Sequence, residues 1–152
     1  MAKPTPSNRQ AGEDWLLACA DRPTDVRLAW AADELGRFRT GEHWRAAEVP
    51  LLRSLDAMQR IGSKRCGPVL ADTALEAAWW LLPPVLGDDL DDIRGITIRP
   101  AGWVLACPPV VYPVHGRVWV EAPDGSGRLT DPVLLGAALG PGGHRLPAEV
   151  TR

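Results

Sequence analysis

The segment Arg94–Val120 reads RGITIRPAGWVLACPPVVYPVHGRVWV and contains three short apolar runs that are rich in valine and isoleucine. Short runs of this kind, bounded by proline and glycine, are typical of β-strands. We therefore predict strands at Gly95–Arg99, Trp103–Cys107 and Arg117–Glu121. The chain is expected to turn a corner at the Pro108-Pro109 pair.

Upstream of this segment, the spacing of apolar residues alternates between helical and strand-like periods, and a last helical stretch follows downstream. A mixture of helices with a run of strands predicts an α+β fold, in which helices pack on a mostly antiparallel sheet. Three helices are predicted. The first starts at Pro23 or Thr24 and ends at Gly36 or Gly41, the second spans 51–61 with Gly62 as a cap, and the third spans 130–139. The predicted strands upstream of the opening segment span 44–49, 67–72 and 76–82, although 75–80 could also be helical.

Two of these helices have a predicted buried side. In the helix that starts near Pro23, Leu28 and Leu35 are expected to face the core. In the helix 51–61, the apolar face is predicted from residues that recur at helical spacing, with Arg53, Asp56, Gln59 and Arg60 outside; the apolar residues are Leu51, Leu52, Leu55, Met58 and Ile61.

The length of 152 residues predicts one domain. The polar, proline-containing residues 1–12 are expected to form a loose tail, residues 13–140 a single α+β domain, and residues 141–152 a flexible tail. Residues 14–20 form an apolar run that is too short to distinguish helix from strand.

The composition makes some functional classes less favourable than others. The net charge of −2 and the pI near 5.9 give no overall attraction for nucleic acid, although a local basic face is compatible with both values. The three cysteines are far apart and lack zinc-site spacing, so no metal is expected and reduced thiols in a cytoplasmic protein fit best. No run is long enough to span a membrane. Most of the seven tryptophans are expected in the core.

Local motifs give few candidates for chemistry. The acidic run Asp88–Asp92 lacks the pattern of a calcium loop and is interpreted as a solvated turn. The histidines are isolated along the sequence, and no serine has a nucleophile-elbow setting. Lys64 and Arg65 lie in a basic loop directly after a predicted helix, where they are candidates for phosphate contact. Trp79 and Trp80 are adjacent in a predicted strand, so they point to opposite faces, and burial of both is expected.

Several segments, in order, resemble the N-terminal domain of bifunctional primase–polymerases (prim-pol) from plasmids, phages and integrative elements. Gly95–Arg99 (GITIR) is similar to the family's Gly-Val-Asp-Val-Arg strand, and Ala101–Val110 to its Gly-Gly-Tyr-Val-Val-Ala-Pro-Pro-Ser strand. Tyr112–Trp119 resembles its His-Pro-x-Gly-x-x-Tyr-x-Trp segment. Weaker similarities cover Ala77–Pro84, Arg22–Asp25 with Trp30, and Thr40-Gly41, so that the resemblance extends over roughly residues 19–122. It implies a short, actinobacterial form of the domain with an RRM-like sandwich fold.

The departures from the family pattern bear on catalysis. Prim-pol enzymes hold divalent metals with an Asp-x-Asp strand and a later strand aspartate. Ala47 and Val49 stand at the positions that the resemblance assigns to the first pair, and a slip of one residue leaves only Glu48. Thr97 occupies the position of the later aspartate, and Val110 occupies the position of a serine in the family pattern. The nucleotide-contacting histidine falls at Ala77 or Ala78. The resemblance therefore implies a domain without polymerase chemistry.

Three functions remain open at this point, and the third, a small-molecule-binding enzyme with a tryptophan-lined pocket, has no acid–base pair to support it. The first is a non-catalytic prim-pol-like binding or regulatory module, associated with DNA, a nucleotide or a protein partner. The resemblance makes Arg99 and Arg117 candidates for residual phosphate contact, beside Lys64 and Arg65 from the basic loop; a structural role for Arg99 and Arg117 is an equal alternative. The second function is a protein–protein interaction domain without a nucleic-acid role, which the acidic pI and high tryptophan content favour.

Overall fold

The computed structural model describes residues 6–140, with side chains from residue 8 onward. Within this range, two N-terminal helices are followed by two strands, a third helix and five further strands, and a short helix closes the described chain. The elements are α1 Pro6–Ala18, α2 Pro23–Ala31, β1 Gly36–Arg39, β2 Arg45–Pro50, α3 Leu51–Ile61, β3 Val69–Asp72, β4 Ala77–Leu82, β5 Thr97–Ile98, β6 Val104–Cys107, β7 Arg117–Glu121 and α4 Pro132–Leu139.

Two antiparallel sheets organise these elements. The larger one has the strand order β5-β2-β4-β3-β7, and the smaller one pairs β1 with β6. The predicted α+β fold with a mostly antiparallel sheet is therefore confirmed. Among the residues described, no helix is both long and apolar enough to cross a membrane.

Side chains of the larger sheet alternate between two hydrophobic cores, as the pleat of a strand requires. On one face, Trp79 packs with Leu70 and Trp119 beneath α1, α2 and the small sheet. On the other face, Trp80 packs with residues of α3 and α4. Trp79 and Trp80 are only 2% and 0% exposed, so the prediction that both are buried on opposite faces is confirmed.

Helix α3 has the predicted bounds but turns a different face to the sheet. Ser54 and Ala57 are buried, whereas Leu52 is 80% exposed and Leu55 is 40% exposed, so the predicted buried face was wrong at both leucines. The reason is that small residues allow α3 to approach the sheet closely, where the Trp80 indole Nε1 donates a hydrogen bond to Ser54 Oγ at 3.0 Å.

Arginines on α3 also fix its orientation. Arg53 donates to the carbonyl of Leu139 at 2.7 Å, and Arg60 donates to the carbonyl of Ala138 at 3.0 Å. Both carbonyls belong to the end of α4, where a helix leaves acceptors unpaired and favours positive charge. Arg53 and Arg60 therefore join α3 to α4 instead of pointing freely into solvent.

The N-terminal region differs from the predicted loose tail. Residues 6–12 belong to α1, which also shows that the ambiguous run 14–20 is helical through Ala18. Gly12 is buried against the backbone of Pro123, where an added Cβ would lie 1.9 Å from the carbonyl oxygen. Leu16 is completely buried. This tertiary packing holds the polar start of α1. The predicted C-terminal tail, 141–152, lies outside the described residues.

The region after α2 also departs from the prediction. The helix ends at Ala31, before either predicted glycine, and Asp33 adopts a left-handed backbone conformation with φ of 59°. The strand β1 follows, which the sequence analysis did not predict. Leu28 is 65% exposed, so its predicted place in the core was wrong.

Candidate binding site

Glu48 and Thr97 face each other across neighbouring strands of the larger sheet. The β2–β5 register pairs Glu48 with Thr97, and the β2–β4 register pairs Glu48 with Trp79. Ala47 and Val49, which the resemblance assigned to metal-ligand positions, are fully buried in the opposite core. If the family's metal-ligand positions are instead shifted by one residue, so that one of them falls on Glu48, they place a carboxylate on the same face of the sheet as Thr97.

The Glu48 carboxylate is engaged by neighbouring side chains. Its Oε1 accepts hydrogen bonds from Trp79 Nε1 at 2.9 Å and from Arg99 Nη2 at 2.8 Å. The Arg99 guanidinium lies 5.0 Å from the centroid of the Trp103 ring, which itself lies 6.5 Å from that of Trp79. Among residues 8–140, no group of three or more histidine, cysteine or acidic side chains is arranged to hold a metal ion.

Arg117 occupies a corresponding place on the other side of Trp79. Its guanidinium lies 4.5 Å from the ring centroid, donates to Asp72 Oδ2 at 2.9 Å and donates to the Ala106 carbonyl at 2.7 Å. Burial alone would raise the pKa of Asp72, but hydrogen bonds from the Leu75 N–H and from Arg117 hold this pKa below its ordinary value. Arg117 is mostly buried, and all these contacts are internal.

The four predicted phosphate-contacting residues fall into two groups. Arg99 and Arg117 flank the Trp79–Trp103 pair on one face of the sheet, and each is joined to a carboxylate. Lys64 and Arg65 lie elsewhere, on the exposed loop between α3 and β3. No hydrogen bond or ion pair to another described residue engages the side chains of Lys64 and Arg65, so both cations are available at the surface.

The Lys64 side of this loop borders an open pocket of about 260 Å³. Arg9 from α1 and Arg128 from the segment after β7 line the same pocket, together with Glu121 and Asp124. Three cations therefore face two carboxylates. The sequence analysis missed Arg9 because residues 1–12 were predicted as a tail, and it missed Arg128 because no local motif marks it.

The two carboxylates of this pocket differ in their electrostatics. Burial, together with the nearby Asp124 charge, raises the pKa of Glu121 above its ordinary value, against the opposing effect of Arg128. A hydrogen bond from the Ser126 side chain lowers the pKa of Asp124 despite its partial burial. Asp124 therefore stays ionised at neutral pH, whereas Glu121 takes up a proton more readily than an exposed glutamate.

Two further groups of polar side chains occur among the described residues. Asp89 and Asp91 of the acidic run border a separate recess of about 230 Å³, which Arg45 also lines. His115 is isolated along the sequence but lies 3.1 Å from Glu34 in the fold, and both side chains are more than half exposed.

The cysteines are all free and buried. Burial is the main cause that raises the pKa of the Cys66 thiol to about 11, and burial likewise raises the pKa of Cys19 and of Cys107. At neutral pH these thiols are protonated, which makes them poor nucleophiles and poor metal ligands.

Comparisons with protein-family models, with curated proteins and with solved structures found no match to this chain.

Proposed function

We propose that this chain is a non-catalytic prim-pol-like module that binds the phosphate backbone of DNA through the basic pocket around Lys64. The observation that carries the non-catalytic part is the Glu48 network. The carboxylate that faces Thr97 already accepts hydrogen bonds from Trp79 and Arg99. A divalent ion bound at Oε1 would have to compete with a guanidinium and an indole for this oxygen.

The binding part of the proposal is supported by the cations of the pocket. Arg9, Lys64 and Arg128 come from three separate segments of the chain and border one concave surface. Arg65 follows Lys64 on the α3–β3 loop and is also exposed. Lys and Arg side chains that neutralise phosphates release condensed counterions, which supplies sequence-independent affinity even when the whole protein is acidic.

Fluorescence anisotropy with a labelled single-stranded DNA of about 20 nucleotides tests this function. We expect binding at about 50 mM salt that weakens steeply towards about 200 mM. The double substitution Lys64→Glu/Arg65→Glu is expected to weaken binding by at least about tenfold and to reduce the salt slope. Arg27→Glu/Arg94→Glu makes the same change of net charge at exposed positions that do not line the pocket, and it serves as the control.

Two results would count against the proposal. Equal losses in the two charge-reversed variants would mean that only the net charge matters. Metal-dependent primer synthesis or extension by the purified protein would contradict the non-catalytic assignment.

A second proposal, a protein–protein interaction domain, is supported by the exposed leucines of α3. Leu52 and Leu55 are three residues apart and therefore neighbours on the helix surface. Sedimentation velocity over a range of concentrations tests whether a second copy of the chain is the partner. Loss of self-association in Leu52→Lys/Leu55→Lys would favour this function, whereas a monomer at all concentrations would exclude a homotypic partner.

A further inference from the structure

A second pocket is lined by arginines that were not predicted as contact residues. It lies on the side of the small sheet that faces away from the core. It has a volume of about 360 Å³ and lies between α2 and the β1–β6 pair. This volume is in the range of small-molecule sites. None of its lining residues belongs to the basic pocket around Lys64.

Strand alternation places two guanidinium groups on this side. Gly36 and Phe38 of β1 are buried, whereas Arg37 and Arg39 are exposed. Alternate residues of a strand are about 6–7 Å apart, so the two long side chains can converge on one group. Their cross-strand partners on β6 are Ala106 and Val104, which carry no charge and so do not pair with either guanidinium group.

The charges of the pocket are only partly compensated. Arg39 pairs with Asp21 at 3.0 Å, and Arg22 pairs with Asp25 at 3.5 Å. Arg37 makes no hydrogen bond or ion pair with any residue in the described part of the chain. Because the two existing pairs are exposed to solvent, they contribute little stability and can exchange partners easily. Arg37 is therefore the group that an anion would meet first.

The rest of the wall is apolar. Val26 and Ala29 of α2, Leu35 before β1, and Val104 of β6 line it. An inorganic ion would leave this surface wet, whereas a ligand with an apolar body would cover it. A phosphate has three terminal oxygens, enough to meet both Arg37 and Arg39, while a carboxylate has two.

We propose that this pocket binds a small organic phosphate, meaning a phosphate monoester with a compact apolar body. Arg37 and Arg39 hold the phosphate oxygens, and the apolar wall covers the body of the ligand. The inference is independent of the proposed DNA-binding function, since the two sites share no residue.

Isothermal titration calorimetry with phenyl phosphate, inorganic phosphate and phenol tests the two halves of this proposal. We expect phenyl phosphate to bind at least about tenfold more tightly than inorganic phosphate, because the ring buries apolar surface. Phenol, which has the ring without the charge, is expected to bind more weakly than phenyl phosphate by a similar factor.

Substitutions locate the site. Arg37→Met keeps an unbranched side chain but removes the charge, and is expected to weaken phenyl phosphate binding by about tenfold or more. Arg27→Met, on the same helix as the pocket wall but outside the lining, is the matched control and should bind as the wild type does. Circular dichroism and the thermal midpoint establish that both variants are folded.

The results that would overturn the phosphate-site proposal differ from those that would support it. Equal affinities for phenyl phosphate and inorganic phosphate, or equal binding by the Arg37 and Arg27 variants, would overturn the proposal. The Lys64→Glu/Arg65→Glu variant should still bind phenyl phosphate. A 5′-phosphorylated oligonucleotide that displaces phenyl phosphate, where its unphosphorylated counterpart does not, would support the site and identify a nucleic-acid end as the source of the phosphate.

Discussion

Replacement of Arg117 by methionine tests whether this arginine is structural or a phosphate contact. The substitution keeps an unbranched side chain over Trp79 but removes the guanidinium. It deletes the 2.9 Å ion pair with Asp72 and the 2.7 Å hydrogen bond to the Ala106 carbonyl. The side chains of Arg117 and Asp72 are only 16% and 9% exposed, so water replaces these contacts poorly.

The expected cost follows from this burial. Removal of one partner of a buried ion pair typically destabilises a protein by about 3–5 kcal/mol, because the other charge stays buried without compensation. Asp72 keeps its hydrogen bond from the Leu75 N–H at 2.9 Å, which favours the lower end of that range. We therefore expect Arg117→Met to lower the free energy of unfolding by about 3 kcal/mol at pH 7.

The pH dependence provides an internal check. In the wild type the pKa of Asp72 is lowered on folding. Its ionised form therefore stabilises the native state above the unfolded pKa, near 3.9, and this contribution is lost as the pH falls through the lower, folded pKa. Without Arg117 the buried carboxylate becomes a penalty that protonation relieves. The difference between variant and wild type should thus shrink between pH 7 and pH 3.

Urea unfolding at pH 7 and pH 3, followed by tryptophan fluorescence and by circular dichroism, measures both quantities. The double variant Asp72→Asn/Arg117→Met should lose less stability than the two single variants added together, since it leaves no unpaired charge. A loss below about 1 kcal/mol at pH 7, the value expected for an exposed pair, would refute the reasoning. So would an unchanged stability together with weaker DNA binding, which would make Arg117 a phosphate contact.

Three further expectations concern other parts of the described structure. Because the pKa of Glu121 is raised on folding, its ionised form opposes folding. Glu121→Gln should therefore raise the thermal unfolding midpoint at pH 7. The gain should vanish below about pH 4.3, as thermal unfolding measured over a range of pH values would show. The Cys66 thiol, with its pKa raised to about 11, and the other buried thiols should react with a disulfide reagent at pH 8 only as fast as the protein unfolds, as shown by the reaction rate with and without urea. Gly67→Ala should cost about 1–3 kcal/mol in urea unfolding because an added Cβ would lie 2.7 Å from Leu129 Cα, whereas Gly87→Ala, where the nearest such atom is 3.7 Å away, should change little.

The sequence predicted those elements whose ends carry local signals. Pro50 ends β2 and starts α3, and Gly62 ends α3, as expected. The strand β1 was missed because only Phe38 among its residues is a large apolar side chain, which leaves too little alternation to detect. The start of α1 was missed because tertiary packing of Gly12, which no local pattern reveals, fixes it.

The candidate sites were predictable only in part. Lys64 and Arg65 were selected as candidates because they are adjacent in sequence and follow a helix. Arg9 was not selected because residues 1–12 were predicted to form a tail, and Arg37 was not selected because strand β1 was not predicted. The role of Glu48 depended on strand register, because a shift of one residue exchanges the two faces of a sheet.

The sheet face beneath the small β1–β6 sheet repeats one arrangement twice. In each half an arginine is bonded to a carboxylate and lies over a tryptophan ring, with the Trp79–Trp103 contact between the halves. Both carboxylates thus have internal donors, and both guanidinium groups are largely engaged. A ligand that took over either ion pair would have to compete with the carboxylate for the guanidinium group. Among the described residues, Lys64, Arg65 and Arg37 have no such partner, and the Arg39–Asp21 pair is exposed to solvent. The two proposed sites therefore lie away from the face that the primase–polymerase resemblance would assign to catalysis.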